Sequence, residues 1–199
     1  MVGSKQVTIV PDNASASASV IEALRYFHIF RHPLYSEEIH KFLRVPISGN
    51  ELCDLLNVMV ANGEIYVLYD LYSLENNHDI FSKRLSGAEQ ASGRMEEAFK
   101  SGKIIATFPF VKCVCISGSL SKGYADKDSD IDFFIITQHE RLWICRTMLH
   151  LFKKFTFLVN KQHSFCMNYF IDEKKLLLEE QNIFTATELT TLIPVYNIP

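Results

Sequence analysis

The chain of 199 residues is 48% hydrophobic and 22% charged, a balance that excludes disorder of the whole chain and allows a buried core in one or two domains. Its 20 basic and 23 acidic side chains give a net charge of −3, so no overall positive charge attracts it to nucleic acid or to an anionic membrane. Any polyanion must therefore be bound by a local patch.

The N-terminal part of the chain begins with an arm and two helices. Residues 1–17 are small and polar without periodicity, which predicts a flexible arm. From Val20 the spacing of apolar residues predicts a helix, which Pro33 interrupts. Ser36 can cap a second, short helix.

A third helix has the clearest boundaries. Ser48 and Glu51 have the spacing of a capping box, and apolar residues then recur every three or four positions until Gly63 ends the helix. The following EIYVLYDLYSL alternates as a strand does and predicts a hairpin that turns near Asp70. Three helices and a hairpin over residues 18–75 resemble a winged helix-turn-helix domain.

A winged-helix domain would ordinarily read DNA by placing its third helix in the major groove. No Lys or Arg lies between Arg44 and Lys83, and a helix and wing without cations repel phosphates. The acidic residues in this stretch include Glu51, Asp54, Glu64, Asp70 and Glu75. We therefore expect packing, homodimerisation or docking of a protein partner, and keep a DNA-binding regulator as a third functional hypothesis.

The rest of the chain predicts a helix and a second domain. Residues 76–102 predict a connecting helix, which Gly87 and Gly93 weaken. Residues 103–199 follow as one domain, which opens with the apolar, strand-like run FPFVKCVCI. The closing TATELTTLIPVYNIP predicts one short helix and an abrupt end.

The cysteines and apolar stretches indicate a cytoplasmic protein. The five cysteines are an odd number without a Cys-x-x-Cys pair, so we expect reduced, mostly packed side chains and no zinc site. They are Cys53, Cys113, Cys115, Cys145 and Cys166. The N-terminus lacks signal-peptide features, and the apolar stretch 142–159 carries basic residues in its middle, so we expect no membrane partner.

The segment ISGSLSKGYADKDSDIDFFIIT carries the chemistry. After a strand over 110–116, Gly118 and Ser119 begin a turn, and a helix starting within 120–125 would turn its free N–H groups toward the strand end. Lys122 adds a positive charge to the same loop. This half of the segment therefore predicts a phosphate-binding loop.

The second half of the segment predicts a metal site. Asp130 and Asp132 lie two residues apart in a strand and therefore project from the same face. Two such carboxylates can converge on one hard cation, and magnesium leaves its other positions to phosphate oxygens and water. The sequence thus predicts a magnesium ion that carries nucleotide phosphates.

These residues resemble a known signature. GSLSKGYADKDSDIDFFII is similar to the nucleotidyltransferase signature of the DNA polymerase β superfamily, a Gly-Ser pair followed by an Asp-x-Asp strand. The match includes Lys122, Gly123 and Ser129, and the resemblance covers roughly residues 78–193. It implies an α/β (α+β) fold with a small mixed β-sheet, here preceded by the winged-helix-like domain.

The resemblance also implies site roles and a reaction. Gly118, Ser119, Lys122 and Ser129 would bind the nucleoside triphosphate, ATP being one candidate, and Asp130 and Asp132 would bind Mg²⁺ at one or two positions. A nucleoside monophosphate would pass in line to an acceptor hydroxyl or phosphate, and pyrophosphate would leave. The acceptor stays open among a small molecule, a protein and an RNA end.

The chain departs from the family in its third carboxylate. The aligned position in SFCMNYFID is Asn168, whose neutral amide can ligate a cation but cannot act as a general base. Asp172 lies about 13 Å farther along an extended strand and could substitute only if the strand ended or bulged early. Either another group activates the acceptor, or the domain binds nucleotide without turnover.

Several other polar residues carry weaker signals. We expect solvated turn residues at Asp126 and Asp128 and a packed loop aromatic at Tyr124. Surface or packing roles are expected for the basic residues His139, Arg141, Arg146 and His150. Related enzymes commonly continue with further helices, so a truncated chain, a partner that completes the site and a minimal form all stay open.

Overall fold

The computed structural model describes residues 13–127, 129–156 and 164–197, which form two compact units divided between Arg84 and Leu85. The helices are α1 (Asn13–His28), α2 (Ser36–Phe42), α3 (Gly49–Ala61), α4 (His78–Ala106), α5 (Gly118–Ser121), α6 (Leu142–Thr156) and α7 (Ile183–Thr190). The strands are β1 (Leu34–Tyr35), β2 (Tyr66–Leu68), β3 (Leu71–Ser73), β4 (Val111–Ser117), β5 (Asp132–Thr137), β6 (Cys166–Asp172) and β7 (Ile193–Asn197). The fold is mixed α/β with two small sheets, as predicted.

The first unit packs its helices around one apolar core. The buried residues include Val20, Leu24, Phe27, Ile39, Leu52, Leu56 and Met59. The sheet is antiparallel in the order β1-β3-β2. The three helices and the hairpin follow the prediction, whereas the two-residue strand β1 was missed because it is too short to show alternation.

The helix starts of this unit differ in part from the prediction. Ser48 caps α3, accepting from Glu51 N–H at 3.3 Å while Glu51 accepts from Ser48 N–H at 2.7 Å. Ser36 was expected to cap α2, but Tyr35 precedes the helix and Ser36 is its first residue. Residues 13–17 belong to α1 and not to the predicted arm, because alanine favours helix and Ala16 is buried. Residues 1–12 of that arm, and Asp128, lie outside the described residues.

The hairpin turns where the sequence predicted. Tyr69 and Asp70 both have positive φ, at 54° and 62°. Positive φ at both central residues is the two-residue turn whose twist matches the flanking strands. It joins β2 to β3 and brings Leu68 opposite Leu71.

Arg84 secures the first turns of α4 within the first unit. Its side chain is almost fully buried and donates to Glu38 Oε1 at 2.9 Å and to the Pro33 carbonyl at 3.3 Å. Glu38 also accepts from Tyr35 N–H at the start of α2, at 2.9 Å. A buried guanidinium needs such partners, because its desolvation is costly without them.

The second unit is built on a mixed four-stranded sheet in the order β6-β5-β4-β7. β5 and β6 run parallel, and α6 lies between them in the chain, while the other pairs are antiparallel. Apolar residues of α4, α6 and the strands form the core, including Ala98, Ile105, Val114, Phe133, Ile135 and Leu149. The edge strand β7 was not predicted, since Pro194 interrupts its pattern and is tolerated only at a sheet edge.

The long helix α4 supports the loop that follows the Gly-Ser motif. A Cβ at Gly87 would overlap the ring of Tyr124, and the Gly87 carbonyl accepts from Ala125 N–H at 3.1 Å. Arg94, two turns later, donates to the carbonyls of Asp126 and Ser129. Tyr124 is thus a packed loop aromatic, as expected. Its ring fills the space that a side chain at position 87 would occupy.

The described cysteines are all free, and Cys113 and Cys115 place their sulfurs 3.7 Å apart. Within the described ranges, no helix has the length and apolar character needed to cross a bilayer.

Gly87→Ala and Gly93→Ala should have opposite effects on stability. An added methyl normally stabilises a helix, so Gly93→Ala, whose Cβ would meet nothing within 4 Å, should raise the free energy of unfolding by about 0.5–1 kcal/mol. Gly87→Ala should lower it by about 1–3 kcal/mol, because the Tyr124 ring must move. Urea denaturation measures both; equal stabilisation by the two variants would contradict the packing described for Tyr124.

Candidate active site

The site begins where β4 ends. Gly118 follows β4 directly and opens the single turn of α5, which ends at Ser121. A helix starting within 120–125 was expected, but α5 starts earlier and no helix continues, since Gly123 has a φ of +68° and its N–H donates to the Leu120 carbonyl. The loop therefore turns back toward α4 and leaves Ser119 exposed.

Gly118 and Asp132 are in close contact. Asp132 is paired with Ser117 across β4 and β5. Gly118 has a φ of +69°, and a Cβ there would overlap the Asp132 carboxylate and lie 3.1 Å from its Cβ. Both the backbone angle and the space thus require glycine, and the two halves of the motif meet at this point.

The two predicted metal ligands act on one another. Asp130 lies just before β5 and Asp132 is its first residue, and Ile131 between them is fully buried. Burial raises the pKa of Asp132 above its usual range, and the charges of Asp130 and Glu188 raise it further. A hydrogen bond from the Cys166 thiol and the charge of Lys153 act in the opposite direction.

This electrostatic environment suits a divalent cation. Two interacting carboxylates, one of them largely buried, are stabilised when a cation neutralises them. No set of three or more His, Cys, Asp or Glu side chains within the described ranges is arranged to hold a metal ion. A pair of carboxylates is a donor set that fits magnesium, which takes one or two carboxylates and leaves its remaining positions to phosphate oxygens and water.

Lys122, in the loop, forms an ion pair with Glu188. Lys122 Nζ donates to Glu188 Oε1 at 2.6 Å and to the Gly118 carbonyl at 3.0 Å. The Gly118 N–H points at Glu188 Oε2 at 3.4 Å. Glu188 lies on α7, 70 residues after Gly118 in the chain, and no motif or spacing connected the two. Only the packing of α7 could have identified it.

Ser129 and Asp126 organise the tip of the loop. Ser129 Oγ accepts from Asp126 N–H at 2.8 Å, and Tyr124 O–H donates to Asp126 Oδ1 at 2.7 Å. Asp126 is exposed, as expected of a turn residue. A role for Ser129 in nucleotide binding stays a prediction, as does that of Ser119.

Asn168 occupies a β-bulge. β6 pairs with β5 through Met167 opposite Phe133 and Tyr169 opposite Phe134, so Asn168 between them has no partner in the ladder. Bulges redirect side chains, and here Asn168 and Tyr169 are both exposed. The amide thus lies on the same side of the sheet as Phe134, whose ring stacks on that of Tyr169 at 5.2 Å.

Asp172 cannot replace the missing third carboxylate. It pairs with Thr137, so five residues of β5, about 16 Å, separate this end of the sheet from Asp132. Its carboxylate accepts from the N–H groups of Glu140 and Lys174 at 2.8 and 2.9 Å and lies 3.1 Å from His139 Nδ1. Asp172 was expected to act as the third carboxylate only if the strand ended or bulged early. A bulge does occur, at Asn168, but the Asp172 carboxylate instead accepts hydrogen bonds from the backbone beside it.

Arg141 and Arg146 both place their guanidinium groups over aromatic rings. The Arg141 guanidinium lies over Phe110 at 5.6 Å, and that of Arg146 lies over Trp143 at 5.5 Å and close to His150, 3.4 Å away. These contacts support the packing and surface roles expected of them.

A cavity of about 630 Å³ opens beside Ser117, Asn168 and Glu188. Its walls are mostly apolar and come from β5, β6, α7 and the segment before α7. The apolar lining includes Phe134, Leu142, Tyr169, Leu177, Phe184 and Leu189. It is large enough for a small molecule or for one end of a larger one.

The comparison with known families agrees with this geometry. A family model described as the nucleotidyltransferase domain matches residues 101–186, fewer than half of the chain. The match covers β4, the motif and β6, and it supports the nucleotidyltransferase superfamily for this region. No curated protein and no solved structure matches the chain.

Gly118→Ala should lower the free energy of unfolding more than Gly63→Ala does. Gly63 also has positive φ, +73°, but a Cβ there would meet nothing, so Gly63→Ala should cost only about 1 kcal/mol of stability. Gly118→Ala adds the overlap with Asp132 and should cost about 1–3 kcal/mol more. Urea unfolding of each variant measures the difference; equal costs would show that the Asp132 contact is absent in solution.

Asp172→Asn should remove a pH-dependent part of the stability. Backbone N–H groups of Lys174 and Glu140 hold the pKa of Asp172 at about 2, below its ordinary 3.8. A depressed carboxyl pKa stabilises the folded state above the unfolded pKa, and that contribution is lost as the pH falls through about 4 to 2. The wild type should therefore be more stable than Asp172→Asn at pH 7, and the difference should shrink toward pH 2. A constant difference in denaturation experiments would contradict this.

Proposed function

We propose that the second unit is a magnesium-dependent nucleotidyltransferase that transfers a nucleoside monophosphate from a nucleoside triphosphate to an acceptor. The observation that carries the proposal is the contact between Gly118 and Asp132, which joins a phosphate-type loop to the carboxylate pair Asp130 and Asp132. The family match over residues 101–186 supports the same reaction class.

The phosphates would bind at the loop. The Gly118 N–H and the Lys122 ammonium both point to one place beside Asp132, and Ser119 is exposed next to them. Backbone N–H groups and an ammonium are the donors that phosphate oxygens accept from. Asp130 and Asp132 would hold Mg²⁺, in one or two positions, and the ion would neutralise charge that develops on the transferred group.

The acceptor would enter through the cavity. An acceptor oxygen would form a bond to the α-phosphorus while the bond to the bridging oxygen breaks, and pyrophosphate would leave with the electron pair. Asn168, which lines the cavity, can orient an acceptor by hydrogen bonding but cannot take its proton. The acceptor must therefore lose its proton to another group or carry a nucleophile that is already deprotonated.

A second candidate is a protein that binds nucleotide without turning it over. The observation that favours it is Asn168, which leaves the aligned position without a carboxylate, while Asp172 is too far away. Such a protein would keep magnesium-dependent binding and release no pyrophosphate.

For the first unit we propose a winged-helix-like module that docks a protein partner or a second copy. The order of its helices and the antiparallel order β1-β3-β2 support this. DNA binding is disfavoured because α3, the hairpin and the segments around them carry acidic residues without a cation from residue 45 to residue 82.

Asp130→Asn/Asp132→Asn should abolish both binding and reaction. Without the carboxylates the cation is lost, and because it is worth several kcal/mol to the transition state, pyrophosphate release should fall by at least about a hundredfold. Calorimetry with each of the four nucleoside triphosphates, with and without magnesium, measures binding, and a coupled pyrophosphate assay measures turnover.

The matched control is Asp54→Asn/Asp70→Asn, which removes the same charge from exposed positions of the first unit. It should behave as the wild type. Binding that persists in the Asp130→Asn/Asp132→Asn protein would refute the metal site, and binding without pyrophosphate release in the wild type would favour the second candidate.

A further inference from the structure

We propose that Glu188 is an internal competitor of the triphosphate: its carboxylate occupies the phosphate position of the loop in the nucleotide-free protein, and nucleotide must displace it. This inference rests on the proposed function, because it concerns the same loop. Glu188 lies on α7, two residues beyond the end of the family-model match at residue 186.

The contacts of Glu188 are those that a phosphate group would make. One carboxylate oxygen accepts from Lys122 Nζ at 2.6 Å, and the other lies 3.4 Å from the Gly118 N–H. A carboxylate, like a phosphate, offers only acceptor oxygens and negative charge. The two donors that the loop directs toward a phosphate are thus both directed at one side chain of the protein.

The two anions cannot occupy this place together. Gly118 has a single N–H, and Lys122 already gives one of its three donors to the Gly118 carbonyl. The negative charge of Glu188 also acts on Asp132, so a triphosphate that entered with Glu188 in place would meet a further negative charge beside Asp132. Displacement of Glu188 frees both donors and relieves this repulsion, because the carboxylate can move into solvent.

Glu188 is able to leave. Its side chain is 46% exposed, whereas Lys122 is only 15% exposed and stays with the loop. α7 has eight residues, and helices of that length depend on tertiary contacts for their stability. Loss of the Lys122 contact should therefore loosen α7.

Movement of α7 would link nucleotide binding to the acceptor cavity. Phe184 and Leu189 on α7 line that cavity together with Glu188 itself. Nucleotide would thus bind first, and the cavity would take its acceptor-binding shape only after Glu188 has been released.

The test is calorimetric titration of tripolyphosphate with magnesium into the wild type, Glu188→Gln and the control Glu180→Gln. Tripolyphosphate probes the loop without the base or the sugar. Glu180 lines the same cavity, so its substitution removes an equal charge nearby. Glu188→Gln should bind about three- to tenfold more tightly than the wild type, since a partly exposed charged contact no longer competes. Glu180→Gln should match the wild type.

Hydrogen exchange supplies a second readout that uses the wild-type protein. Magnesium tripolyphosphate should accelerate amide exchange across residues 183–190 in the wild type, and it should have little further effect in Glu188→Gln, where the contact is already broken. Slower exchange in α7 upon binding would overturn the proposal.

The outcomes separate this inference from the proposed function. Equal or weaker binding by Glu188→Gln overturns the competition and leaves the nucleotide site intact, because the wild type still binds. Tighter binding by Glu188→Gln supports the competition even if no pyrophosphate release is found. If neither protein binds tripolyphosphate or any nucleoside triphosphate, both proposals fail.

Discussion

The Asp132 carboxylate lies where the Cβ of any residue other than glycine at position 118 would stand. This steric constraint joins the end of β4 to the start of β5, so the donors of the loop and the carboxylates of the strand share one small volume. Lys122 and Asp130 lie in the same two chain segments, and Lys122 Nζ donates to the carbonyl of Gly118 itself. Close packing of the Gly118 backbone against the Asp132 side chain helps to preorganise a charged site.

The sequence signal was strongest where the determinants are local. Ser48 and Glu51 are three residues apart, and the helix they cap begins where they predicted. Gly118 and Asp132 belong to one continuous motif, and the hairpin linking their strands brings them together. Asp132 begins β5 as predicted, whereas Asp130, which was predicted to lie in the same strand, lies just before it.

The features that sequence could not supply depend on distant segments or on register. Glu188 reaches Gly118 only through the docking of α7, and β7 pairs with β4 despite a proline that obscures its pattern. The bulge at Asn168 is a property of how β6 aligns with β5, and no single-strand pattern encodes it. The sequence alone also could not show that Asp172 is unable to act as the third carboxylate. Its carboxylate accepts from the N–H groups of Glu140 and Lys174 at the far end of the sheet.

The packing of Tyr124 against Gly87 determines which residues a functional domain must include. The match to the family model starts at residue 101, but the loop that carries Lys122 packs on Gly87 and is held by Arg94, both earlier in α4. A fragment trimmed to the recognisable region would keep every motif residue and lose the surface that shapes the loop. The shortest fragment that keeps the loop in place must therefore include this part of α4. It is longer than the region that the family model matches.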